Sequence, residues 1–135
     1  MIHLIMGLKG SGKTIKMRDS IEAALATASG DVVCIEYGKT LTYELNYRVR
    51  LVDAKEYGIN SSDMLKGLLS GLHAGNFDIT NVYIDNLYKT IGSDRAEGEA
   101  FIAWCADFAA ANNMEITITV SDDPALASEE IKKYL

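Results

Sequence analysis

Gly7-Leu8-Lys9-Gly10-Ser11-Gly12-Lys13-Thr14 follows a largely apolar run, Ile2-His3-Leu4-Ile5-Met6, and opens a stretch of helical periodicity. The octapeptide fits G-x-x-x-x-G-K-[ST] at every fixed position, and its setting decides the fold. Ile2 to Met6 reads as a short buried strand that stops at Gly7, where a missing Cβ permits turns that other residues resist. From Lys13 to about Ser29, Met17, Ile21, Ala24, Leu25 and Ala28 recur every three or four residues, with Gly30 as a C-terminal stop. A glycine-rich turn between strand and helix lets successive N–H groups point inward. The positive end of the helix dipole adds to them, which makes an anion cradle.

Outward from the loop, strands and helices continue to alternate. Asp31 to Tyr37 is a β-branched run fitting a strand buried on both faces of a parallel sheet, and Arg48 to Val52 alternates as a shorter edge strand would. Gly38 to Tyr47 shows no clear period. Ser61 or Ser62 caps a helix with Met64, Leu65, Leu68 and Leu72 as its buried stripe and Gly75-Asn76 as its end. Val82-Tyr83-Ile84-Asp85 is a strand closing on a carboxylate; Phe101, Trp104, Cys105 and Phe108 mark an inward helical stripe; Ile116 to Val120 is a strand ending at Ser121. Asp123 as N-cap and Pro124 at the first helical position start a final helix through Leu135. This order predicts a three-layer α/β/α sandwich around a mostly parallel central sheet, one domain over residues 1–135.

On the octapeptide and on Asp85 the chain resembles the P-loop NTPase superfamily. The resemblance implies the P-loop nucleoside triphosphate hydrolase fold and a Mg²⁺-nucleoside triphosphate, with ATP favoured because no N-K-x-D guanine signature is present. It puts Gly7, Lys9, Gly10, Ser11, Gly12, Lys13, Thr14 and Ile15 around the phosphates, with Lys13 at the β- and γ-phosphates and the Thr14 hydroxyl in the Mg²⁺ shell. Asp85 resembles the family's second motif, an aspartate that grips Mg²⁺ through a bound water. If the strand ending at Ser121 lies between the first strand and the Asp85 strand, the chain is a minimal RecA-like core of the additional-strand division. Lys9 is the third residue of the motif, whereas the partitioning ATPases with deviant P-loops carry a lysine at the second, here Leu8. The chain is also similar to short bacterial P-loop proteins whose assignable property is nucleotide binding.

Asn86 departs from the pattern, since many ATP hydrolases of that division place a glutamate there to polarise the attacking water. Hydrolysis is then slow, or Glu36, Asp53 or another acid supplies the base from a neighbouring strand. Ser121 reads either as a γ-phosphate sensor or as a loop serine before Asp122-Asp123. Arg95, in the polar stretch Gly92 to Gly98, reads either as an arginine finger or clamp or as a solvated side chain. Tyr37, Tyr43, Tyr47 and Tyr88 are the candidates for touching an adenine, while the stripe around Trp104 belongs to the core. Arg18, Arg48 and Arg50 read as surface residues, and His3 and His73 as packing or surface.

Thirteen basic residues against nineteen acidic ones give a formal net charge of −6 without a Lys/Arg-rich run, which argues against nucleic acid and anionic membrane as partners. Cys34 and Cys105 stand apart from any CxxC or Cys/His cluster and read as reduced core residues. The N-terminus is too short in apolar residues for a signal peptide and no stretch approaches a membrane span, so a cytoplasmic protein is expected. Three functions fit these residues: a nucleotide-binding module with slow hydrolysis completed by self-association or a protein partner, a phosphotransferase acting on a small acceptor, and a non-enzymatic domain holding a structural anion.

Overall fold

The computed structural model describes residues 1–39 and 45–135. In chain order the elements are β1 (Ile2–Gly7), α1 (Lys13–Thr27), β2 (Asp31–Glu36), β3 (Arg50–Asp53), α2 (Ser62–Gly75), β4 (Ile79–Ile84), α3 (Leu87–Ile91), α4 (Arg95–Asn112), β5 (Glu115–Ser121) and α5 (Glu129–Lys132). The strands form one five-stranded sheet in the order β1-β5-β4-β2-β3, and all four ladders are parallel. The strand ending at Ser121 therefore lies between β1 and the strand that leads to Asp85.

The alternation of side chains along each strand divides the core in two. Leu4, Val33, Ile35, Val82, Ile84, Ile116, Ile118 and Val120 join one buried cluster with Leu65 and Leu69 of α2, Phe101, Ile102 and Cys105 of α4, and Ile131 of α5. Val32, Cys34 and Tyr83 join a second cluster with Met17, Ile21, Ala24 and Leu25 of α1. The layers are thus α1 on one face and α2, α4 and α5 on the other. Because α1 starts at Lys13, directly after the glycine loop, its N-terminus stands over the C-terminal ends of the strands.

Four expectations change. In α2 Leu65 and Leu69 are the buried pair, Leu68 and Leu72 pack at the margin, and Met64 is 41 % exposed, one position off the stripe. A short helix, α3, follows β4 at once; its five residues are too few to show a period, yet Leu87, Thr90 and Ile91 are buried. The stretch Gly92 to Gly98 is a loop only as far as Asp94, whose side chain accepts the Glu97 N–H and caps α4, so Arg95 is helical. The final helix is broken. Asp123 accepts the Ala125 N–H and Pro124 starts a 3₁₀ turn, but Ala127 is extended and the chain restarts at α5, burying Ala127 and Ile131 and bringing the Tyr134 carbonyl to the Leu4 N–H at 2.8 Å. That last bond covers part of the β1 edge.

Candidate functional site

The glycine loop takes the conformation its sequence requires. Gly10 and Gly12 have φ of 85° and 86°, a region that costs side-chain-bearing residues energy. At Gly7 a Cβ would fall on the Ser11 hydroxyl, so the loop can close back on its own start only over a glycine. The Ser11 N–H is turned to the Leu8 carbonyl at 3.0 Å, which tightens the turn. The first intrahelical bond is Lys16 N–H to the Gly12 carbonyl at 3.1 Å, so Lys13, Thr14 and Ile15 present the N–H groups that every helix start leaves without an intrahelical acceptor. The Lys13 ammonium bends back to donate to the Leu8 carbonyl at 3.0 Å, an exchangeable contact on an exposed side chain.

These groups face a cleft of about 400 Å³ whose loop wall is Lys9, Gly10, Gly12, Lys13, Thr14 and Ile15. The opposite wall is Asp85 and Asn86, after β4, with Thr119 and Ser121 of β5. The pairing of β4 with β5 and of β5 with β1 brings these walls together, since Gly7 is opposite Ser121 in the ladder. Gly7 and Ser11 form the base of the loop, while Leu8 and Ile15 turn their side chains out, 62 % and 57 % exposed.

Asp85 is held by a residue that sequence reasoning passed over. The Thr119 hydroxyl, 1 % exposed, donates to Asp85 Oδ1 at 2.8 Å and accepts the Asn86 N–H at 2.6 Å. Asn86 has φ 57° and ψ 71°, a left-handed turn placed directly behind the carboxylate. A signal existed: Thr117 and Thr119 alternate with isoleucines in a strand buried on both faces, where each hydroxyl needs a partner.

Two further acids lie in the same row. The Asp85 N–H continues the β2–β4 ladder to the Ile35 carbonyl at 2.9 Å, and Glu36 is opposite Asp53. Asp85, one residue past β4, is thus in line with Glu36 and Asp53, the last residues of β2 and β3, on the α1 face. Burial pushes the Cys34 thiol up, and the charges of Asp85 and Glu36 push it further, so both carboxylates lie near it. Glu36 is buried at 2 % exposure. Asp53 is occupied, its Oδ1 accepting the N–H groups of Gly38 at 2.8 Å and Lys55 at 3.0 Å.

Just past Ser121, the Asp122 N–H donates to the Gly7 carbonyl at 3.2 Å, and its carboxylate takes both Arg95 Nε at 2.8 Å and Nη2 at 3.0 Å. That fork holds the Asp122 carboxyl below its ordinary value of 3.8, with the Asp123 amide adding to the effect against some desolvation. Arg95 is therefore paired beside the start of the loop and does not line the cleft. Of the tyrosines, Tyr37 and Tyr88 follow β2 and β4 at the loop end of the sheet. Tyr47 precedes β3 at the other end, which removes it as an adenine contact, and Tyr43 lies outside the described residues. Arg48 is not a strand residue but donates to the Leu25 carbonyl at 3.2 Å, at the end of α1. Trp104 stacks on Phe108 at 4.9 Å and packs against the core, as its spacing implied.

The parallel sheet, its three layers and the loop ahead of α1 define the P-loop nucleoside triphosphate hydrolase fold. Among solved structures the chain is similar to the conjugation coupling protein TcpA of pCW3, in its monomer form with ATPγS, at a TM-score of 0.51 and 17 % identity. The likeness covers 98 % of this chain and 46 % of that one, so the chain spans about half of its length. No protein-family model matches the chain, and no curated protein sequence does. Among the described residues no helix is long and apolar enough to cross a membrane.

Proposed function

We propose that the chain binds a Mg²⁺-nucleoside triphosphate, with ATP favoured, in the cleft between the glycine loop and Asp85, and hydrolyses it slowly. The observation that carries this reading is one cleft in which Lys13 and Thr14, at the start of α1, face Asp85 on the opposite wall. The N–H groups of Lys13, Thr14 and Ile15 donate to phosphate oxygens, and the helix dipole favours the negative charge. Lys13 exchanges the Leu8 carbonyl for the β- and γ-phosphates.

The residues fit Mg²⁺ by their chemistry. Among the described residues no group of three His, Cys, Asp or Glu forms a metal cage. A hydroxyl at Thr14 and one carboxylate at Asp85 suit an ion that keeps its waters and takes its remaining ligands from phosphate. Bound there, Mg²⁺ would neutralise charge developing between the β- and γ-oxygens. Thr119 orients Asp85 toward that position.

Slow turnover follows from Asn86, whose amide has no basicity with which to take a proton from water. Of the two acids on neighbouring strands, Glu36 is adjacent to Asp85 across the β2–β4 ladder but does not line the cleft, and Asp53 is engaged by two amides. Arg95 and Ser121 complete the proposal as residues met by the γ-phosphate side, Ser121 from the cleft wall and Arg95 only after leaving Asp122. Titration calorimetry with ATP-Mg²⁺ on the wild type and Lys13→Ala tests the reading. Binding at least about tenfold weaker in the variant supports it; equal weak binding in both favours a non-enzymatic domain whose loop holds only a structural anion.

A further inference from the structure

At the other end of the sheet lies a larger opening, a cleft of about 610 Å³. It sits where β2, β3 and β4 begin, under the last turns of α2. Lys13 and Asp85 stand where strands of the same parallel sheet end, so the two clefts share no lining residue. Its volume falls within the range of small-molecule sites.

The floor is apolar, from Val33 and Ile79, both nearly fully buried. The rim carries Tyr47, 94 % exposed, and two arginines, Arg48 and Arg50. Arg50 is exposed and makes no ion pair among the described residues; it stands opposite Val33 in the β2–β3 ladder and so shares that residue's face. Arg50 also borders a smaller opening of about 250 Å³, whose acids are otherwise placed: Glu56 has Lys39 at 3.7 Å, Asp53 its two amides, and Glu36 is buried at 2 % exposure and has a partner of its own. The one carboxylate of the larger cleft, Asp31, accepts the Asn76 side-chain amide at 2.8 Å. The negative end of α2 is answered by the Asn76 N–H, which donates to the carbonyls of Leu72 and His73.

Among the described residues, a chain with a net charge of −6 therefore keeps here a net positive rim beside an exposed aromatic ring and an apolar floor. Gly71 and Gly75 of the roof would each admit a Cβ without touching anything within 4 Å, so packing does not require glycine at either, and Gly71, inside α2, costs the helix about 1 kcal/mol against alanine. Their absence of side chains leaves the cleft open.

We propose that this cleft is a second ligand site, taking a small aromatic anion: a planar ring lying on the apolar floor beside Tyr47, with its carboxylate, sulfonate or phosphate ester on Arg50. The ring supplies the buried area and the guanidinium the orientation, since Arg presents a planar donor fork to oxyanions. This inference does not depend on nucleotide binding at the glycine loop.

The test titrates the intact chain with anilinonaphthalene sulfonate and, in parallel, with neutral N-phenylnaphthylamine, which has the same ring body without the anion. The expected result is saturable binding with a preference for the anion on the order of tenfold. Arg50→Ala erases that preference, Arg50→Lys retains most of it, and Lys13→Ala leaves it unchanged; circular dichroism melts establish that each variant is folded. Amide shifts on binding fall at Val32, Leu51 and Gly75, and not at Gly12 or Thr14. Equal affinity for the two probes, a preference that survives in Arg50→Ala, or shifts concentrated on the glycine loop would each overturn the assignment.

Discussion

Replacing Thr119 by valine keeps the shape of a buried side chain and removes two hydrogen bonds from beneath the cleft between the glycine loop and Asp85. In the wild type the hydroxyl donates to Asp85 Oδ1 at 2.8 Å and accepts the Asn86 N–H at 2.6 Å. Valine leaves the Asn86 amide without an acceptor at a site that is 1 % exposed, and strips one donor from the carboxylate. An unmade bond of this kind costs about 1–3 kcal/mol. For a domain of this size each kcal/mol lowers Tm by roughly 3–4 °C, so the variant melts about 3–12 °C below the wild type. The functional effect is separate. With Asp85 free to rotate, Mg²⁺-dependent nucleotide binding weakens by about tenfold, while the weaker binding measured in EDTA, carried by the loop, stays the same. Calorimetric melts and paired ATP titrations with Mg²⁺ and with EDTA read both effects, and Thr119→Ser, which can remake both bonds, recovers both. A Thr119→Val protein with wild-type Tm and wild-type Mg²⁺ dependence would refute the role given to this hydroxyl.

Asn86→Glu installs a carboxylate behind Asp85, and phosphate release from ATP rises on the order of a hundredfold if a missing base limits turnover; an unchanged rate rejects that explanation. The variant also melts slightly lower, because a glutamate at φ 57° costs about 1–2 kcal/mol. Asp122→Asn tests the clamp on Arg95 through pH. The Asp122 carboxyl is held below 3.8 in the folded chain, so its contribution to stability is present above that pH and is lost as the pH falls through the lowered folded value. The Tm gap between wild type and Asp122→Asn is therefore constant from neutral pH to about 5, narrows below 3.8 and closes in strong acid. A gap that widens on acidification contradicts the assignment.

The strand, glycine loop and helix at the N-terminus were legible because three local signals coincide: an apolar run, glycines at the turn, and a period of three to four. The β4 and β5 strands were legible for a similar reason, each being a β-branched run bounded by polar residues. Register was not legible. Nothing local in Ile116 to Ser121 says that it inserts between β1 and β4, yet that insertion is what brings Thr119 to Asp85 and Ser121 to Gly7. Glu36 and Asp85 are far apart in sequence and become neighbours only through the β2–β4 ladder. Short elements failed for want of length. Five residues of α3 carry no period, and the cap at Asp94 was obscured by the glycines on either side of it, although Asp94 and Glu97 have the spacing of a helix start. Arg95 looked free in sequence because its partner, Asp122, lies at the end of another strand.

The proposed site requires that the backbone amides at the start of α1 receive a polyphosphate. Amide resonances followed while ATPγS-Mg²⁺ is added to the labelled protein measure this at the groups concerned. Saturable shifts are expected at Gly12, Lys13, Thr14 and Ile15, sharing one affinity with a shift at Asn86, and they are lost in Lys13→Ala. Resonances of the loop that stay fixed while others elsewhere in the chain move would contradict it.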